Sequence, residues 1–324
     1  MKNNIYTIAL FVLLLNAQSY ADDILTAYRM NGIANIEHHM DKELAKMEYW
    51  SNYLKNSNTT FGYIETYSNV LTCNKDKSTL CVYVKDGNNS YKLKKEYSAY
   101  TGKIQGDKHE EGDLKTPIGI YDITKKISKV DEFYGPLAFV TSYPNAYDTY
   151  KGSEGHGIWI HGLPLNQERD SYTKGCIAIE NESIECLDKN LDITKTILII
   201  NKAEVKKEIS KKELSTILSQ LYTWRYAWLY NDSVSYLSFY SNDFKRFDGM
   251  SYKNFVNYKI RVFQKLEKKK IIFSDINVIP YPDTLNTYKI SFKEYYKSDT
   301  FEFTGDKVLM VKLIENKIEI MTEK

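Results

Sequence analysis

Gly157-Ile158-Trp159-Ile160-His161-Gly162 ends a strand-like run on a histidine, and Thr173-Lys174-Gly175-Cys176-Ile177 sets a cysteine behind a glycine fifteen positions after that histidine. Alternation along a strand puts Gly157, Trp159 and His161 on one face, with His156 on the other. A free thiol is mostly protonated at neutral pH, so it needs a neighbouring base before it can attack a carbonyl. An imidazole can take that proton and return it to a leaving amine. His161 is the candidate base and Cys176 the candidate nucleophile. The Gly162 carbonyl is the candidate holder of the imidazole Nδ1–H. Gly175 allows a sharp turn, from which the amides of Gly175 and Cys176 can point at a developing oxyanion. Thr173 can buttress the turn through its hydroxyl. Lys174 is either a contact for a substrate carboxylate or a solvated lysine. Trp159 can form one wall of the pocket.

The start of the chain bears on that thiol. Lys2, the apolar run Ile8 to Leu15, and Ser19-Tyr20-Ala21 before Asp22-Asp23 have the form of a secretory signal over residues 1–21. The apolar run is shorter than the ~20 residues a spanning helix needs. Export to an oxidising compartment is the expectation, and an unpaired thiol kept there implies chemistry. Of the four cysteines, Cys73 and Cys81 flank the turn Asn74 to Ser78 and could face each other. Whether they bridge depends on a Cα separation the sequence does not give. Cys186 reads as buried packing. His38, His39 and His109 make no metal-ligand spacing with the cysteines, so neither metal nor other cofactor is expected. With 44 basic against 42 acidic side chains, net +2, nothing favours nucleic acid as a partner.

Around this pair the chain divides into a signal (1–21), a helical arm (22–60), a β-rich domain (61–202) and an α+β domain (203–324). In the arm, Ile33, Ile36, Met40, Leu44, Met47, Trp50 and Leu54 recur at helical steps. That stripe suits either a cover over a core face or a self-association or docking arm, through which a homodimer could form. The β-rich domain is predicted to have strands at 63–72, 79–85, 91–100, 118–123, 137–142, 158–161 and 196–201. A single helix, 181–187, is capped by Asn181. Such a domain is a β-sandwich or barrel, not a parallel α/β sheet. The last part is predicted to have helices at 214–229 and 254–268. Strands follow at 271–279, 287–295, 301–304 with 307–314, and 317–321. Helices before a curved antiparallel sheet make a cone, whose aromatic-lined mouth suits a glycan or peptide ligand.

His161-Gly162, then Thr173-Lys174-Gly175-Cys176, with Thr116-Pro117-Ile118-Gly119-Ile120-Tyr121 upstream, resemble the YkuD-type L,D-transpeptidase catalytic domain over roughly residues 65–202. The resemblance implies an all-β fold with Cys176 as nucleophile, His161 as base and Gly162 as backbone orienter. It also implies attack on the carbonyl between diaminopimelate and D-alanine in peptidoglycan tetrapeptide stems. Many such enzymes carry an arginine two residues after the cysteine, where this chain has Ala178. The whole arrangement is similar to the helical-cell-shape L,D-carboxypeptidases of curved Gram-negative bacteria, whose last domain is like nuclear transport factor 2 (NTF2). The implied reading is a periplasmic L,D-carboxypeptidase trimming tetrapeptides to tripeptides and so modulating cell shape. The alternatives are a cross-linking L,D-transpeptidase and a non-catalytic wall-binding scaffold. Lys115, Tyr134, Tyr143 and Trp159 are candidates for contacting the stem, each equally an ordinary residue of the fold.

Overall fold

The computed structural model describes the backbone of residues 3–87, 90–167, 170–203 and 209–324, and within these the side chains from residue 23 onward. The expected signal and its cleavage site therefore lie, in their side chains, outside the described residues, as do Asn88-Asn89 of the polar turn expected at Asp86 to Asn89 and 204–208 of the charged connector expected at Lys202 to Lys212. Among the described residues no helix is long and apolar enough to cross a membrane.

Eight strands close into a barrel: β2 (Asn69–Asn74), β3 (Thr79–Lys85), β4 (Tyr91–Tyr100), β5 (Gly119–Ile127), β6 (Ala138–Thr141), β7 (Trp159–His161), β8 (Ile177–Ile179) and β9 (Thr196–Asn201). Their order around the barrel is β2-β3-β4-β8-β7-β6-β5-β9. The all-β expectation holds, and the barrel is the form it takes. Inside lie Leu71, Cys73, Leu80, Tyr121, Phe139, Ile160, Ile177 and Leu198. β9 is buried on both faces, because Leu198 and Ile200 point inward while Ile197 and Ile199 pack with Val70, Ile120, Ile279 and Tyr281 between the two domains. That double burial is why Ile197 to Ile200 reads as an unbroken apolar run.

A second sheet, in the order β1-β10-β11-β12-β13, comprises β1 (Tyr63–Ile64), β10 (Lys270–Pro280), β11 (Thr287–Lys297), β12 (Glu302–Ile314) and β13 (Lys317–Glu323). The expected strand 63–72 is thus two strands. β1 pairs antiparallel with β10, Tyr63 opposite Val278, so the segment leading into the barrel belongs to the other sheet. Helix α5 (Lys211–Leu229) lies against this sheet, its start fixed by a Ser210–Glu213 capping box. α6 (Ser233–Leu237) and α7 (Tyr252–Phe263) complete the cone.

Ahead of both domains, α1 (Asn3–Leu44) is broken at Gly32, whose φ of 74° no helix interior accommodates, and α2 (Met47–Tyr53) follows. Trp50 and Leu54 enter the same core as Leu218, Leu221 and Trp224. Asp41 meets Arg225 at 2.8 Å. The later part of the arm is therefore a core cover. Before it Leu25, Tyr28, Met30 and Ile33 are exposed.

Three further expectations need correction. The barrel domain holds a second helix, α3 (Ala146–Tyr150), started by a capping box on Asn145. The helix α4 (Asn181–Asn190) has Glu180 as its N-cap residue, without a side-chain cap bond. Strand β12 runs through Gly305-Asp306, where the sequence suggests a break. A side chain at 305 would collide with the Phe303 ring lying over it, at 2.3 Å.

Trp50 is 5% exposed, donates its indole N–H to the Leu44 carbonyl at 2.7 Å and packs on Tyr222. Truncating it leaves a cavity and an unpaired carbonyl. Trp50→Ala is expected to cost about 3–5 kcal/mol of stability, measured by urea titration followed by far-UV circular dichroism.

Candidate active site

The parallel pairing of β7 with β8 sets Ile160 opposite Ile177 and His161 opposite Ala178. Residues two apart on a strand share a face, so Cys176, just ahead of β8, is on the face of Ala178 and hence of His161. The register thus brings the His161 imidazole and the Cys176 thiol to one side of the sheet.

His161 is 1% exposed, and its Nδ1 lies 2.6 Å from the Gly162 carbonyl oxygen. A carbonyl only accepts, so in the neutral ring Nδ1 carries the proton and Nε2 keeps its lone pair. That is the tautomer a general base needs. Gly162 is held from three sides. Its N–H donates to the Tyr134 carbonyl at 3.0 Å. A Cβ there would lie 2.3 Å from Asn181 Oδ1 and 2.8 Å from Pro136 Cδ. Asn181 Oδ1 accepts from the Leu163 amide at 2.8 Å. Asn181, expected as a helix cap, is instead a brace for the His-Gly turn. Its only sequence signal is an amide side chain at a helix start, which capping explains equally well.

Tyr134 is brought to the site. Its ring meets the His161 ring edge-on, centroids 5.0 Å apart, and the Trp159 ring at 5.1 Å. Burial, then the negative charge of a Cys176 thiolate and of Asp131, holds its hydroxyl above the usual tyrosine range. Trp159 and Tyr134 together form an aromatic wall beside the imidazole. Tyr143 is not part of it: it is buried, and its hydroxyl donates to the Glu154 carbonyl. His156 and Lys174 are exposed.

The nucleophile turn departs from the expectation at one point. The Gly175 amide donates to Thr173 Oγ1 at 3.0 Å, and that hydroxyl donates to the Cys176 carbonyl at 2.6 Å. Thr173 is therefore the buttress. The Gly175 N–H is spent on it, which leaves the Cys176 amide as the oxyanion candidate of the expected two. Gly175 has φ +136°, and a Cβ there would lie 2.9 Å from the Lys115 carbonyl oxygen. Lys115 thus reaches the site through its backbone. Cys176 is partly exposed, with Sγ 3.5 Å from the Gly157 carbonyl oxygen.

The other thiols are structural. Register sets Cys73 opposite Leu80 and Cys81 opposite Thr72, so the two point to opposite faces, and neither is in a disulfide. Burial pushes Cys73 up to about 12, and burial with Glu96 pushes Cys81 up to about 11. Cys186 is half-buried rather than core, with Asn190 Nδ2 3.8 Å from its sulfur.

In the C-terminal domain a cavity of about 420 Å³ is lined by Trp228, Tyr258, Lys259, Glu294, Tyr296 and Phe301 among others. Lys259 Nζ lies 4.9 Å from the Trp228 ring centre and 5.1 Å from that of Tyr236. Burial lowers its ammonium to about 8.

Residues 68–200 match the family model of the L,D-transpeptidase catalytic domain (YkuD), and residues 216–324 match that of the Cds6 C-terminal NTF2-like domain. The crystal structure of the helical cell shape determining protein Pgp2 from Campylobacter jejuni is 37% identical, with a TM-score of 0.79 over 86% of this chain and 99% of that one. The chain belongs to the L,D-transpeptidase catalytic-domain family. A singly substituted form of Pgp2 aligns at 36% identity and TM-score 0.80, over 87% of this chain and 99% of that one. Bd1075 of Bdellovibrio bacteriovorus is 26% identical with a TM-score of 0.65, over 82% of this chain and 96% of that one. YafK of Escherichia coli K12, whose name assigns it to the L,D-transpeptidases, is 36% identical over 116 residues. That alignment covers 34% of this chain and 42% of YafK, so the chain spans less than half the length of the curated relatives it matches.

Two outcomes follow from the turn and the thiols. Thr173→Val removes both hydroxyl bonds and takes its acceptor from the Gly175 amide. It is expected to cost about 1–3 kcal/mol in thermal or urea unfolding and to slow alkylation of Cys176. In native protein at pH 8, Cys73 and Cys81 remain protonated; thiol titration is expected to label them only after unfolding.

Proposed function

We propose that this chain is a periplasmic cysteine L,D-carboxypeptidase that removes the terminal D-alanine from peptidoglycan tetrapeptide stems. The observation that carries the reading is the imidazole with Nδ1–H committed to Gly162, which makes Nε2 the basic nitrogen for the thiol on its own face of the sheet. His161 Nε2 takes the Cys176 proton, and the sulfur adds to the carbonyl between the diaminopimelate L-centre and D-alanine. The Cys176 amide faces the developing oxyanion. D-Alanine then leaves with the proton from His161, and the stem remains as a thioester. Water gives its proton to His161, attacks the thioester and releases the tripeptide with a free thiol.

Hydrolysis is favoured over cross-linking by Ala178. This residue is fully buried and sits between Tyr100 and His161 in the sheet. A methyl group therefore occupies the position beside the nucleophile where many transpeptidases of the family have a guanidinium. Without that cation the site loses a handle for an acceptor stem's carboxylate. A hundredfold preference for water needs only ~2.7 kcal/mol. Pgp2 is named as a determinant of helical cell shape, and stem trimming by this chain would act on the same property. The aromatic cavity of the C-terminal domain serves in this reading to hold peptidoglycan.

The test is a digest of tetrapeptide muropeptides with the mature protein, products separated by mass. One free D-alanine per tripeptide is expected, and Cys176→Ala or His161→Ala is expected to lower the rate by at least ~10³. Cross-linked dimers with no tripeptide would replace the hydrolase by a transpeptidase. Unchanged cellular function of Cys176→Ala would leave only a wall-binding role.

A further inference from the structure

One charged side chain is sealed inside the barrel end and has no part in the chemistry above. Lys75 follows β2, is 1% exposed, and its backbone N–H donates to the Asn201 carbonyl at 3.0 Å. Its ammonium donates to the Thr116 carbonyl at 2.5 Å and to the Gly106 carbonyl. Both acceptors belong to irregular backbone between β4 and β5, where no strand ladder supplies donors. Burying an ammonium is costly unless it is paired; an apolar side chain would fill the same space without that cost. What lysine adds is donors at a single point, holding two separate loop segments together.

Those segments lead to the nucleophile. Thr116 is fully buried, and its Oγ1 accepts from the Gly102 amide at 2.8 Å. Gly102 bridges to Thr173. The Thr173 amide donates to Thr101, and the Lys103 amide donates to the Thr173 carbonyl, at 2.8 and 3.1 Å. Thr173 in turn holds both Gly175 and Cys176 through its hydroxyl. Contact runs alongside the hydrogen bonds. A Cβ on Gly102 would lie 2.4 Å from the Leu114 carbonyl oxygen, and one on Gly175 would lie 2.9 Å from that of Lys115. The backbone of residues 114–116 therefore lies in close contact with both glycines.

We propose that Lys75 is a positioning residue for the nucleophile, tying the 114–116 segment to the barrel end and through it setting the turn that presents Cys176 to His161. The proposal rests on the reading of Cys176 as nucleophile. A displacement of about 1 Å at a reacting atom can cost on the order of 10²-fold in rate, so a carbonyl released at Thr116 is felt at the sulfur. A merely structural lysine would affect stability and leave the thiol's chemistry alone.

The experiment uses the full mature chain and follows alkylation of Cys176 by iodoacetamide against pH, read by peptide mass spectrometry, together with kcat and KM on tetrapeptide. Lys75→Met and Thr116→Val are each expected to slow alkylation at pH 7 at least about fivefold, and to lower kcat about tenfold with KM changed less than about twofold. The double variant is expected to be no worse than the more impaired single variant, since both cut one chain of contacts. Lys77→Met, at an exposed position of the same turn, is the control and should alkylate as the parent does. A folded Lys75→Met whose Cys176 alkylates within twofold of the parent overturns the proposal, however far its melting temperature falls. Should Lys75→Met not fold, Thr116→Val decides by the same criterion. A parent protein that releases no D-alanine while the variants still lose thiol reactivity would refute the carboxypeptidase reading and leave the role of Lys75 standing.

Discussion

The bond between the His161 Nδ1–H and the Gly162 carbonyl governs what this molecule can do. It spans adjacent residues, so it depends on the backbone at Gly162 turning its oxygen back toward the ring. Three neighbours enforce that turn: the Tyr134 carbonyl on the Gly162 amide, Pro136 against its Cα, and Asn181 bracing Leu163. A carbonyl orienter fixes the tautomer but, unlike a carboxylate, adds no net charge beside the imidazole. The nitrogen left with a lone pair is therefore set by geometry alone, beside the rings of Tyr134 and Trp159.

The remainder of the fold holds this arrangement rigid. The parallel step between β7 and β8 is only three residues long on each side, too short to hold its register alone. It is supported by β6 and β4 on its flanks, by the packing of Ile160, Ile177 and Ile179 inside the barrel, and by Ile184 and Leu187 of α4. Core packing fixes the strands, and hydrogen bonds around Thr173 fix the turn ahead of β8. The two ends of the site thus depend on different kinds of interaction.

Much of this is legible in the residues, and the gaps have physical causes. Strands β3, β4 and β9 run where β-branched and aromatic residues concentrate between polar turns. The His161–Cys176 pair stands out because both residue types are rare here. The sheet to which a strand belongs leaves no trace in its own periodicity, which is why Tyr63-Ile64 reads as continuous with the barrel strand that follows. Lys75 reads only as one residue of the polar turn Asn74 to Ser78, since a lysine's burial depends on carbonyls some thirty and forty residues away that sequence does not place. Gly175 illustrates a third limit. Its freedom to turn is evident from the residue type, but the partner of its amide is decided by where Thr173 points.

The two-residue strand β1 has a practical consequence for anyone recombining these domains. A chimera cut cleanly within the connector near residue 204 would keep Tyr63 and Ile64 with the barrel while discarding the sheet they complete. The donor half would then present the edge of β10 at Asn277 and Val278 with open backbone groups, an invitation to intermolecular strand addition. The exchangeable module is discontinuous. It comprises α2, β1 and everything after the connector, with the barrel inserted between them.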